Sequence, residues 1–168
     1  YSVKFTYRYY PDSTMVELIP EYLFTRDKIK EHRLAMKSRV KKLALLAEKL
    51  SEKEKELFIH DFIVKNVKYD KLKKEYSHEI IGALGNGVAV CEGMAKAVKI
   101  LCDELGIWCI VALSDANPDK GIKYRHAWNV IRIDGKYYHL DVTFDNTLSR
   151  DDAVRYDYVN LADKQIFR

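Results

Sequence analysis

The dipeptide Asp134-Gly135 stands between two alternating runs, Arg125 to Ile133 and Lys136 to Thr143, and no other feature fixes as much of this chain's geometry. Both residues tolerate φ > 0, as the central positions of a type I′ turn require, so the runs are predicted to form a hairpin with a two-residue loop. Ile133 then faces Lys136, and stepping back along both strands sets Trp128 opposite Asp141 and His126 opposite Thr143. His126 and Asp141 share a face as diagonal neighbours, with Cα atoms roughly 7–8 Å apart, within reach of a side-chain hydrogen bond. Ala127, Ile131, Ile133, Tyr138, Leu140 and Val142 take the opposite face. A slip of one residue would send that apolar set to the wrong side. His139 falls on the same face as His126, opposite Val130 and nearer the turn; it is a pocket or surface histidine and the second candidate base.

Upstream, residues 92 to 105 carry Ala95, Val98, Leu101, Cys102 and Leu105 at spacings of three and four, with Gly106 as the stop. Cys91 therefore sits at the N-cap or first position of a helix. Unpaired N–H groups and the positive end of the helix dipole favour an anion there, so its thiolate forms more readily than the reference value of about 8.5 implies. The loop Gly85-Asn86-Gly87 lets the backbone approach closely and leaves room for a substrate chain beside the sulfur. Cys102, on the apolar stripe, and Cys109, in the run Trp108 to Leu113, read as buried small hydrophobes. A thiol nucleophile, an imidazole base and an orienting carboxylate are what acyl transfer requires. Cys91, His126 and Asp141 are the candidate catalytic residues.

Three stretches, Val90-Cys91-Glu92-Gly93-Met94-Ala95, Arg125-His126-Ala127-Trp128-Asn129 and His139-Leu140-Asp141-Val142-Thr143-Phe144-Asp145, resemble in order the signatures of the bacterial transglutaminase-like superfamily. The similarity extends upstream through Lys55 to Asp70, so it covers about two thirds of the chain. The resemblance implies a papain-like core and a Cys-His-Asp triad matched to Cys91, His126 and Asp141. Met94 stands where the family often has an aromatic residue, and Val142 and Phe144 replace a common proline and tryptophan. These departures are expected to change pocket shape. The paired zinc-binding cysteines of a related peptide glycanase are absent.

A chain of 168 residues, 48% of them hydrophobic, can bury a core without staples, and it reads as a single domain over residues 1–168, a segment of a longer or processed protein. Three cysteines without a C-x-x-C pair speak against a disulfide framework and a zinc site, and no cofactor or metal is expected. No apolar run approaches the roughly 18 residues of a membrane span. The net charge of +4 is concentrated between Arg26 and Lys49, where Ile29, His32, Met36, Val40, Leu43, Ala47 and Leu50 form one helical stripe. That is a solvated basic face rather than a nucleic-acid site, because no aromatic interleaving accompanies it. Ser51 and Glu54 form a capping box for a second helix with Leu57, Phe58, Phe62 and Ile63 in the core, and neither His32 nor His60 is given a catalytic role.

The expected order is a strand over Tyr1 to Tyr9, two helices, a loop from Val67 to Val90, the cysteine helix, and antiparallel strands at 107–113, 122–133 and 136–144, an α+β fold. Ser114 to Gly121, with Asn117-Pro118, should form an exposed rim, and Tyr69, Asp70, Tyr76 and Asn86 the opposite wall of a substrate groove. The expected partner is a protein or peptide substrate whose carboxamide or peptide carbonyl Cys91 attacks, giving a thioester. Water would then make the chain a peptidase or amidase, the preferred reading; a lysine amine would make it a transglutaminase. The rival of another class is a binding module that holds a peptide or cell-wall partner without turnover.

Overall fold

Side-chain caps start the first two helices of the computed structural model, which describes residues 3–115, 125–149 and 153–166. Thr25 accepts from the Lys28 N–H and opens α1 (Arg26–Ala47), whose Met36, Val40, Ala44 and Ala47 face inward while the lysines and arginines between them stay in water. Ser51 and Glu54 make the reciprocal capping box of α2 (Glu52–Asn66). The buried face of α2 is Glu56, Ile59, His60, Ile63 and Val64, whereas Leu57, Phe58 and Phe62 are only half-buried. The expected stripe is thus rotated, because two polar residues that pattern alone assigns to solvent find partners inside: Asn160 for Glu56, and Asp145 for His60.

Residues 67–90 were expected as loop and instead hold four short elements. These are β3 (Lys68–Tyr69), a 3₁₀ turn (Glu75–His78), a π turn (Ile81–Asn86) and β4 (Val88–Ala89), with β3 and β4 paired in parallel. Buried Asp70 holds this stretch together, accepting from the backbone N–H groups of Leu72 and Lys74 at 3.0 and 2.9 Å and from the Ser77 hydroxyl at 2.5 Å. None of these bonds follows a hydrophobic period, which is why the stretch reads as loop.

The chain then enters α3 (Cys91–Glu104), which buries Met94, Ala95, Ala97, Val98, Leu101 and Cys102 and ends as expected at Gly106, φ +74°. It packs on an antiparallel sheet of order β5-β6-β7, made by Cys109–Ser114, His126–Ile133 and Lys136–Leu140. Asp134 and Gly135 take φ of 49° and 78°, and Ile133 pairs with Lys136, so the turn and register are those read from the sequence. Ala127, Asn129, Ile131 and Ile133 point to the core. Ile59, Ile63, Leu84, Met94, Leu101, Ile131 and Leu140 are wholly buried between α1, α2, α3 and the sheet. Each contributes about 1.5–3 kcal/mol of burial.

The last strand is shorter than expected. It stops at Leu140, and Asp141 becomes the N-cap of α4 (Val142–Leu148), accepting from the N–H groups of Thr143 and Phe144, so the pairing of His126 with Thr143 does not form. A carboxylate bonding its own backbone two and three residues on competes with the strand ladder and here prevails. The segment 153–162 folds back, Leu161 bridging to His139, and leads to α5 (Asp163–Ile166). At the other end β1 (Val3–Tyr9) is paired with β2 (Val16–Tyr22), a strand not anticipated, in a hairpin whose side chains are nearly all exposed. The expected rim lies mostly outside the described residues, as do Tyr1 and Ser2. No helix among the described residues is long and apolar enough to cross a membrane.

Candidate active site

Cys91 is the first residue of α3, with Val90 as its N-cap in extended conformation, so the sulfur sits at the unpaired N–H end of the helix. Two local contacts hold that end. The Ser77 carbonyl accepts from the Val90 N–H at 3.1 Å, and a Cβ on Gly93 would lie 2.2 Å from the same oxygen. Gly93 is therefore the glycine of close approach. Gly85 and Gly87, expected to open space beside the sulfur, instead pack against Ile81 and the Asn66 carbonyl.

His126, the first residue of β6, is brought to Cys91 by the packing of that strand on α3. Its Nε2 lies 2.5 Å from Asp141 Oδ2, which leaves Nδ1 as the nitrogen free to bond the sulfur. The other Asp141 oxygen, Oδ1, accepts from the backbone of Thr143 and Phe144 at 3.0 and 3.1 Å, and the Asp141 N–H donates to the Tyr158 carbonyl at 3.0 Å. The carboxylate is thus almost wholly buried and fixed by α4 on one side while it holds the imidazole on the other. The three residues expected as a triad are together.

Electrostatics follow from these contacts. Burial works to raise the Cys91 thiol, but hydrogen bonds from His126 and from the backbone N–H of Ala127, together with the imidazolium charge, overcome it and hold the thiol below its ordinary value. Burial likewise works to lower His126, and is overcome by its bonds to Asp141 and Cys91, which push it up to about 9. The pair therefore favours thiolate and imidazolium. Glu92, one residue from the sulfur, would oppose that thiolate. Its carboxylate is turned to Lys96 at 2.7 Å and to the His78 ring at 3.0 Å.

Two aromatic rings flank the imidazole. Trp128 stacks on it with ring centroids 5.9 Å apart and planes 13° from parallel, and Phe144 lies 4.7 Å from it. Trp128 Nε1 donates to His139 Nδ1 at 2.9 Å, and His139 Nε2 meets Asp163 Oδ1 at 3.0 Å. Both ring nitrogens of His139, the second candidate base, are thus engaged, one by Trp128 and one by Asp163. The roles of Trp128 and Phe144 were missed in the sequence, although the predicted register already put Trp128 and His139 diagonally on one face.

The groove wall agrees only in part. Tyr69 borders a cleft of about 700 Å³ together with Val64, Lys65, Val67, Lys68 and Asn146. Burial and the Cys91 charge raise its phenol. Asp70 is buried in its own loop, Tyr76 lies under Lys74, and Asn86 is exposed at the end of the π turn. Met94 is wholly buried, so it fills the core and not a pocket, while Phe144 is the departure that reaches the site. Cys102 and Cys109 are buried, as expected. A second cleft, of about 490 Å³, lies on the Glu92 side and is lined by Lys4, Glu21, Tyr22, Glu75 and His78 among others. Among the described residues no group of three or more His, Cys, Asp or Glu is arranged to hold a metal ion.

The family model of the transglutaminase-like superfamily matches residues 41–142, a span that includes Cys91, His126 and Asp141. The fold is similar to the crystal structure of a TGase (TM-score 0.57, 15% identity, 84% of this chain and 38% of that one). It is also similar to a Cytophaga hutchinsonii protein provisionally described as a cysteine protease (TM-score 0.51, 17% identity, 84% and 62%). This chain thus spans less than two thirds of either. No curated protein matches its sequence.

Proposed function

The chain belongs to the transglutaminase-like superfamily, and from that membership we propose a cysteine-dependent acyl-transfer enzyme that hydrolyses peptide or glutamine carboxamide bonds. The observation that carries the reading is the 2.5 Å bond from the His126 imidazole to the buried Asp141 carboxylate, with the Cys91 thiol held low by the same imidazole. The Cys91 thiolate attacks the carbonyl carbon, and the C–N bond breaks as His126 gives its proton to the departing amine or ammonia. A thioester remains on Cys91. Water, deprotonated by His126, then attacks the thioester, releasing a carboxylic acid and returning the proton to the Cys91–His126 pair. Asp141 holds the imidazole so that Nδ1 faces sulfur and supports its charge. The Cys91 backbone N–H, at the helix start, is the oxyanion donor in this scheme.

Hydrolysis is preferred to amine transfer because the site is open to solvent: the His126 side chain keeps 23% of its surface exposed. The cleft bordered by Tyr69 is the space this reading gives to the substrate chain. Amine transfer has one observation in its favour, the second cleft beside Glu92, where the Glu75 carboxylate is suited to a lysine ammonium. Incubation with a glutamine peptide and a labelled amine decides between them. Free acid or cleavage product in excess of amine-linked product is expected, and the reverse ratio would replace hydrolase with transferase.

A further inference from the structure

We infer that His139 is a positioning residue for His126, acting through the indole of Trp128. The inference rests on the reading of His126 as the base, and on contacts that the triad does not use. An indole N–H can only donate, so the 2.9 Å bond from Trp128 Nε1 requires His139 Nδ1 to be bare. The His139 proton then sits on Nε2 and is donated to Asp163 Oδ1, 3.0 Å away. The indole is thereby locked in plane, and its face is the surface on which the His126 imidazole stacks, 13° from parallel. Phe144 closes against the same imidazole from α4, at 4.7 Å.

Backbone contacts anchor the support. His139 exchanges two hydrogen bonds with Leu161, at 2.8 and 3.0 Å, so the imidazole stands on a ladder between β7 and the returning chain. Asp163 is 92% exposed and acts as an outer partner only; the better shielded step is the partly buried indole-to-His139 bond. Freed of that acceptor, Trp128 can turn about its side-chain bonds, and the imidazole loses the wall that keeps Nδ1 on the sulfur. A misplacement of about 1 Å at reacting groups costs up to about 10²-fold in rate.

Three readouts test this together: peptide turnover, alkylation of Cys91 at pH 7, and the indole N–H resonance of Trp128, identified by its loss in Trp128→Phe. His139→Ala is expected to lower kcat and the alkylation rate about 10- to 100-fold, leave KM within about twofold, and shift the indole resonance. His139→Asn places an acceptor oxygen where Nδ1 stood and is expected to recover most of both rates. Rates in His139→Ala within twofold of wild type would overturn the inference, as would a loss that the Asn variant shares while melting at the wild-type temperature. His126→Ala, measured alongside, separates the failures. Wild-type alkylation in that variant removes the base itself and this inference with it, whereas wild-type behaviour of His139→Ala alone removes only the inference.

Discussion

In the proposed reaction the Cys91 thiol and the His126 imidazole exchange one proton. The thiol is held down by the imidazole despite burial, and the imidazole is pushed up to about 9 by Asp141 and Cys91 despite the same burial. The thiolate–imidazolium form therefore fills the interval between the lowered thiol and about 9. Turnover is expected to fall on the acid side as the thiolate takes a proton, and on the alkaline side, near 9, as His126 loses the proton the leaving amine needs. In His126→Ala the burial remains while the bond and charge are gone, so the thiol rises; Cys91 alkylation followed against pH should move to the alkaline side. Asp141→Asn keeps an oxygen for the α4 cap but removes the charge, and should lower kcat by about 10²–10⁴-fold with little change in melting. Asp141→Ala should also lose the cap, about 1 kcal/mol by denaturant titration. The three residues were legible from the Asp134-Gly135 turn and the helix periodicity. The second duty of Asp141 was not, because a cap is a local bond that leaves no periodic trace.

Elements are joined at two points that no hydrophobic pattern reveals. The first is the close packing of the 70–78 loop on the start of α3, where Gly93 admits the Ser77 carbonyl. Gly93→Ala would press a methyl group against the Ser77 backbone carbonyl and is expected to cost about 1–3 kcal/mol, seen as a lowered denaturation midpoint together with slower Cys91 alkylation. The second lies between α2 and α4. His60, wholly buried, sets Nε2 3.1 Å from Asp145 Oδ2 and Nδ1 3.1 Å from Asp61 Oδ1, while Asp145 Oδ1 accepts from the backbone of Asp157 and Tyr158. This second His–Asp pair stands under Tyr156 and serves as a latch for the returning chain. Removing one partner leaves the other buried without its bond, so Asp145→Ala is expected to cost roughly 3–5 kcal/mol, measured by equilibrium unfolding. Pattern reading found α1, α2 and α3 because their stripes repeat. It misassigned the face of α2 because Glu56, through one carboxylate oxygen, and His60 find partners about 85 to 104 positions away in the chain.

At the scale of the molecule, the described core lies between the helices and the three-stranded sheet, and the β1–β2 hairpin takes almost no part in it. Phe5, Tyr7, Tyr9, Val16 and Leu18 are exposed, and a two-stranded hairpin buries little by itself. Removing residues 1–22 is expected to shift the melting temperature by no more than about 4 °C. The α+β class and the β6–β7 register follow from periods of 3.6 and 2 and from one turn, whereas the approach of a helix-borne sulfur to a strand-borne imidazole was implied by the family resemblance. The short elements of 67–90 rest on local bonds to the Asp70 carboxylate, and the returning segment 153–166 on bonds to Asp141, His139 and Asp145; neither set leaves a periodic trace in the sequence. The central claim is that Cys91 is the residue a carbonyl substrate acylates. Acid-quenched mass spectrometry of the protein mixed with glutamine-containing peptides tests it most directly, by mapping adducts to residues. An adduct of the acyl part, peptide less its leaving amine, on Cys91 is predicted, reversed by hydroxylamine and missing in Cys91→Ala. Product formed at an undiminished rate by Cys91→Ala would contradict the account.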